Sequence, residues 1–162
     1  MIPVGGLYET HLTVKNLARS IEFYSNRLGF ELAHLLPEEA GAFFWIGGRE
    51  RSMLGLWAMR RPPVRVQLHI AFSVTLEDAI KAVELLRSWG IVPRDGDSGA
   101  EIFEPVVRPW MPAASVYFSD PDGHSLEYIA ILPQKPRPEL SGIMPLSEWV
   151  VTGVPPPFAR TG

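Results

Sequence analysis

Cysteine is absent from the 162 residues. That excludes disulfides, thiolate metal sites and cysteine nucleophiles. No apolar run approaches the length of a membrane-spanning helix. Neither sign of charge dominates: the net charge is −3, which gives no reason to expect nucleic acid, a partner that favours a basic face. The opening Met1-Ile2-Pro3-Val4-Gly5-Gly6 lacks a basic segment followed by a long apolar one. No secretory signal is expected from it, and a cytoplasmic location is the default. What is present is ordinary for a globular chain, with 46% hydrophobic and 20% charged residues, enough for one domain with one substantial core. The 16 prolines fall mostly in three places, where they act as punctuation.

Between those breaks one pattern occurs twice. Residues 7–14 alternate apolar and polar side chains, as a half-buried strand does. A helix is predicted from about Ala18 to Leu28, with Leu17, Ile21, Tyr24 and Leu28 as its apolar stripe and Gly29 as its cap. Strands follow near 30–36, 42–47 and 52–58. The second copy starts with a strand over 66–74. Thr75-Leu76-Glu77-Asp78 then opens a helix, as a capping box with Asp in the place of Glu or Gln. Its stripe runs through Leu76, Ile80, Val83 and Leu86, and Trp89-Gly90 closes it. Strands near 91–94, 102–107, 114–119 and 125–131 complete the copy. Matching strand, helix length and closing glycine predict an α+β domain over residues 1–132, built of two tandem βαβββ modules, about 7–58 and 66–131. Arg60-Arg61-Pro62-Pro63 reads as the linker between them.

Two segments lie outside the repeat. Pro105-Val106-Val107-Arg108-Pro109-Trp110-Met111-Pro112 reads as a proline-punctuated loop over a pocket. Residues 133–162 form a proline-rich extension, yet it keeps Leu140, Ile143, Met144, Leu146, Trp149 and Val150. Such anchors predict packing against the body or a partner, without long helices.

His11 and His69 occupy the same place on equivalent strands, so a pseudo-twofold arrangement aims both at a common centre. Glu127 sits between Leu126 and Tyr128 in an otherwise apolar strand. Burying a lone carboxylate there costs several kcal/mol, so it calls for a charge partner or a metal. Two imidazoles and a carboxylate make a ligand set for a divalent metal with open positions. His34 has no counterpart in the repeat and reads as surface or rim. Asp120-Pro121-Asp122-Gly123 has turn chemistry, which accounts for both aspartates and adequately for His124.

The segment Tyr117-Phe118-Ser119-Asp120-Pro121-Asp122-Gly123-His124-Ser125-Leu126-Glu127, with the helix Ser20-Ile21-Glu22-Phe23-Tyr24-Ser25-Asn26-Arg27-Leu28-Gly29-Phe30, carries a family resemblance. Over about residues 7–132 the chain resembles the glyoxalase, fosfomycin-resistance and extradiol-dioxygenase superfamily, also called vicinal oxygen chelate proteins. The resemblance implies paired βαβββ modules curled into a cup-shaped sheet. It implies one divalent transition metal per site, Mn, Fe, Ni, Co or Zn, held by His11, His69 and Glu127. It also implies a small-molecule substrate and a homodimer whose cups take modules from both chains. No nucleic acid or membrane partner is implied.

Departures from the family pattern separate its branches. Glyoxalase I-like members place an acid in the first module at the position equivalent to Glu127, where this chain reads Met53-Leu54-Gly55-Leu56-Trp57. Extradiol dioxygenases use a further histidine in the second module, and none occurs between Ile70 and Gly123. Fosfomycin-modifying enzymes match in size and ligand set. In that reading Thr13 and Tyr117 take catalytic roles, Ser115, Arg108 and Trp110 face the substrate, and Arg137 is an alternative anion holder. The contrasting class is the metal-free, bleomycin-resistance type of drug-binding module, with Trp45, Trp57, Phe72 and Trp110 as its aromatic lining.

Overall fold

The computed structural model describes residues 6–38, 40–58 and 67–152. The linker at Arg60-Arg61-Pro62-Pro63 and the end of the extension lie outside the described residues. The chain divides into two compact units. One comprises the residues to Leu68 together with Asp120–His124; the other comprises His69–Ser119 and everything from Ser125. No helix of the described residues is long and apolar enough to cross a membrane.

The first unit begins with strand β1 (Glu9–Val14) and helix α1 (Leu17–Glu22), followed by strands β2 (Glu31–Leu36), β3 (Gly41–Ile46) and β4 (Ser52–Ala58). They pair in the order β1-β4-β3-β2, with β1 parallel to β4 and the other pairings antiparallel. Alternation decides the faces. Leu12, Val14, Ala42, Phe44, Leu54 and Leu56 are buried with Phe23 and Tyr24, and the helix packs on this side. Asn16 opens α1 by accepting the Arg19 N–H through its side chain. The expected single helix to Leu28 is instead shorter, because Phe23–Arg27 widens into a π-helical turn. Gly29 ends the turn at φ +71, a conformation that glycine adopts without steric cost.

The Asp120–His124 turn is more than a reversal. Asp120 is buried and accepts the Tyr24 hydroxyl at 3.1 Å as well as the backbone N–H of Asp122 and His124. Asp122 pairs with Arg19 at 2.8 Å. The buried His124 ring accepts the Leu68 N–H at Nδ1 (3.2 Å) and donates from Nε2 to the Thr13 carbonyl (2.7 Å). Both ring nitrogens are therefore committed, and the imidazole is the neutral tautomer protonated at Nε2.

The second unit runs β5 (His69–Ser73), α2 (Leu76–Ser88), β6 (Val106–Val107), β7 (Ala113–Ser119), β8 (Ser125–Ile131), β9 (Met144–Pro145) and α3 (Leu146–Thr152). The sheet order is β5-β8-β7-β6-β9, again with one parallel pair, β5 and β8. Thr75 caps α2 by accepting the Asp78 N–H at 3.1 Å, while its hydroxyl donates to the Asp78 carboxylate at 2.6 Å. The acid thus answers the cap through its side chain. The helix buries Ala79, Ala82, Val83 and Leu86, whereas Leu76 and Ile80 of the predicted stripe stay 38% and 48% exposed. Small alanines bring the helix close to the sheet, and close packing outweighs the larger apolar side chains one step round the helix.

Two of the predicted strands shrink. Near 91–94 only Arg94 forms bridges, to Glu101 and Tyr117, and the segment near 102–107 pairs only at Val106–Val107. The supposed loop at 105–112 is therefore partly strand, followed by a turn in which the Met111 N–H meets the Arg108 carbonyl. In the extension, Leu146 and Trp149 join a buried cluster with Ala79, Val107, Ala114, Ala130 and Leu132. Val150 stays exposed.

Candidate functional site

In the second unit, parallel pairing sets His69 beside Ser125 and Ala71 beside Glu127, and β7 sets Tyr117 across from Glu127. Strand alternation sends His69, Tyr117 and Glu127 to the sheet face away from α2, because Phe72, Phe118 and Leu126 fill the helix side. His69 Nε2 lies 3.1 Å from Glu127 Oε2, and its Nδ1 lies 3.2 Å from the Ser125 hydroxyl. The imidazole stacks on the Tyr117 ring at 5.8 Å. Glu127 is only 4% exposed, while the His69 side chain is 48% exposed. A buried carboxylate therefore supports an open imidazole.

Tyr117 joins that pair to a cation. Burial first, then the Glu127 carboxylate, push its phenol above the ordinary range, while the Arg108 guanidinium pulls it the other way. Arg108 is held in turn by Asp97 at 2.6 Å. Asp95 organises the intervening loop by accepting the N–H groups of Asp97, Ser98 and Gly99. Gly96 lies against the phenol: a Cβ there would sit 2.5 Å from Tyr117 Cζ.

The first unit carries its own imidazole. His11 faces away from the core, on the same side as Glu9 and Thr13, and its register partner is Gly55. A Cβ at position 55 would lie 2.5 Å from His11 Cδ2 and 2.9 Å from Nε2, so only glycine leaves room for the ring. Phe43 and Trp57 meet His11 edge-on, each at 5.8 Å. His11 Nε2 lies 2.9 Å from Glu9 Oε1.

Two donors that share an ion at a right angle, with bonds of about 2.0–2.2 Å, stand about 2.8–3.1 Å apart. The spacing of His69 Nε2 and Glu127 Oε2 fits that arrangement, and the donor types suit a first-row divalent ion. Among the described residues of one chain, no three His, Cys, Asp or Glu side chains gather closely enough to hold one ion.

The remaining predicted residues divide. Thr13 is exposed on the His11 face. Ser115 is buried on β7, two residues before Tyr117 on the same face. Trp110 is 57% exposed in the turn after β6. Arg137 pairs with Glu139 and lies over the Trp149 ring. Among the candidate lining aromatics, Phe72 is misplaced: it is buried on the opposite face of β5 from His69, near Tyr128. His34 is exposed. Sequence reasoning missed Glu9, Gly55, Gly96, Asp97 and Ser125. Gly55 had a visible signal, since a glycine inside an apolar strand marks close approach of another group.

The chain is similar to known proteins. The family model described as Glyoxalase/Bleomycin resistance protein/Dioxygenase superfamily matches residues 6–128. Metallothiol transferase FosB of Staphylococcus epidermidis is 30% identical over 125 residues, covering 76% of this chain and 82% of that protein. FosB of Lysinibacillus sphaericus (strain C3-41) is 27% identical over 117 residues, covering 72% and 75%. Among solved structures, the integron cassette protein HFX_CASS4, from the mobile metagenome of the Halifax Harbour sewage outfall, superposes with a TM-score of 0.68 at 34% identity. It covers 79% of this chain and 100% of that one. The fosfomycin resistance protein FosX of Listeria monocytogenes, complexed with Mn(II) and sulfate, shares the fold with a TM-score of 0.60 at 23% identity, over 81% and 94% of the two chains. The chain belongs to the glyoxalase/bleomycin resistance protein/dioxygenase superfamily.

Proposed function

We propose that this protein is a divalent-metal enzyme, working as a homodimer, that adds a thiol to a small electrophilic substrate bearing oxygen atoms. Each centre takes His11 from one copy and His69 with Glu127 from the second. The observation that carries the reading is the buried Glu127 carboxylate 3.1 Å from the half-exposed His69 Nε2. The names of the FosB relatives, metallothiol transferases, support the transfer of a thiol. Isomerisation of the glyoxalase I kind is less favoured, because the first module carries Trp57 where those enzymes place an acid.

A bound divalent cation supplies a Lewis acid next to a substrate oxygen. The side chains do the rest. Tyr117 keeps its proton at neutral pH, since burial and Glu127 both raise it, so its hydroxyl can donate to an oxygen that gains charge. Arg108, fixed by Asp97, brings a permanent positive charge next to that phenol, suited to an anionic group such as a phosphonate. Ser125 at His69 Nδ1 holds the ring so that Nε2 stays turned to Glu127. Thr13 and Ser115 place hydroxyls on the same strand faces as His11 and Tyr117.

Calorimetric titration with Mn2+, followed by a thiol-transfer assay with fosfomycin and cysteine, tests the reading. The wild-type chain is expected to bind about one ion, and Glu127→Ala to lose at least about tenfold in affinity together with turnover. Undiminished metal binding by Glu127→Ala would refute the assignment. An aromatic drug that binds equally well with and without a chelator would favour sequestration of the bleomycin-resistance type.

A further inference from the structure

We propose that Glu9 is a fourth protein donor, so that each metal centre is held by two imidazole–carboxylate pairs instead of by three side chains. The inference rests on the reading above and adds a residue to it. Glu9 Oε1 lies 2.9 Å from His11 Nε2, and Glu127 Oε2 lies 3.1 Å from His69 Nε2. The same nitrogen faces a carboxylate in both units. Both separations are those of neighbouring donors on one ion.

The strand register shows why this carboxylate comes from an unexpected place. In the second unit His69 pairs with Ser125, and Glu127 follows two residues later. The same step in the first unit goes from His11 and Gly55 to Thr13 and Trp57. Trp57 therefore occupies the position of Glu127 and offers no oxygen. Glu9 supplies one from β1 itself, two residues before His11 and hence on the same face. Gly55 leaves the ring room, and the edges of Phe43 and Trp57 flank it. Among the described residues, the ion pair in which Glu9 takes part is the one to His11.

A four-donor centre differs measurably from a three-donor one. Two carboxylates balance the charge of a divalent ion, and a six-coordinate ion keeps two positions for substrate or water instead of three. The direct experiment combines Mn2+ affinity with the number of ion-bound waters, counted by water-proton relaxation, for wild type, Glu9→Ala and Glu9→Gln. Thermal unfolding of each variant verifies folding. Glu9→Ala is expected to gain one water and to lose at least about tenfold in affinity. Glu9→Gln retains the size of the side chain but loses its charge, and is expected to weaken binding as well. An unchanged water count overturns the proposal even if affinity falls, since Glu9 would then act only through a hydrogen bond to His11. If wild type binds no metal, the functional reading fails and this inference with it. If wild type binds and both Glu9 variants match it, this inference alone fails.

Discussion

Individual residues show how much of the site depends on space rather than on donors. Gly55 contributes no atom to chemistry, yet a Cβ there would meet His11 at 2.5 Å. Alanine generally suits a strand better than glycine does, so Gly55→Ala should fold. The ring must swing away, however, and its nitrogens leave their present positions. The expected result is an unchanged thermal transition with Mn2+ affinity lowered about tenfold or more, read by calorimetry beside circular dichroism. Unaltered affinity would mean that the orientation of His11 is immaterial to binding. His11, His69 and Glu127 could be singled out by repeat position and by the cost of burying an acid. Glu9 could not, because its relevance lies in a 2.9 Å approach to one nitrogen of His11, which alternation alone does not specify. Trp110, an aromatic among prolines, lies at the surface of a turn.

At the scale of elements, periodicity located the long strands and both main helices, because each has one face that must be buried. It failed where packing geometry decides. The face of α2 was misjudged since alanines, weak in any hydrophobic count, allow the closest approach to β7 and β8. The π-helical widening at Phe23–Arg27 left no mark in the pattern, because residues before and after it still bury one side. Strand β6 shrank to two residues because the chain around it is tied by the bridges of Arg94 and the Asp95 loop. Strand β8 also makes a pH-dependent contribution. Tyr128 packs against Phe118 at 4.9 Å and Phe72 at 6.4 Å, and burial raises its phenol from 10.0 to about 12. A raised value means that the unfolded chain releases this proton first. The stabilisation is whole below about pH 10 and is lost as the pH rises through about 12. Denaturant unfolding at increasing alkaline pH should therefore show a shallower decline for Tyr128→Phe than for wild type. Parallel declines would contradict the burial of this phenol.

On the scale of the whole molecule, each unit holds one half-exposed imidazole with one carboxylate at hydrogen-bonding distance, and no three metal-ligand side chains gather among the described residues of one chain. The duplicated architecture was readable from the recurrence of strand, helix and glycine, and the family from the segment ending at Glu127. Whether donors from different modules share one ion depends on assembly, in the proposed reading, and local pattern does not encode assembly. A homodimer in which each centre draws on both chains makes a specific demand. His11→Ala and Glu127→Ala should each fold and each bind metal poorly. When the two are mixed and allowed to exchange subunits, the heterodimer contains one centre with every donor intact and one lacking both. Calorimetric Mn2+ titration of that mixture is the most direct test. Recovery of tight binding to about a quarter of the wild-type capacity, as random exchange of a twofold dimer gives, is the predicted result. A mixture no better than its two components would contradict a centre shared between chains.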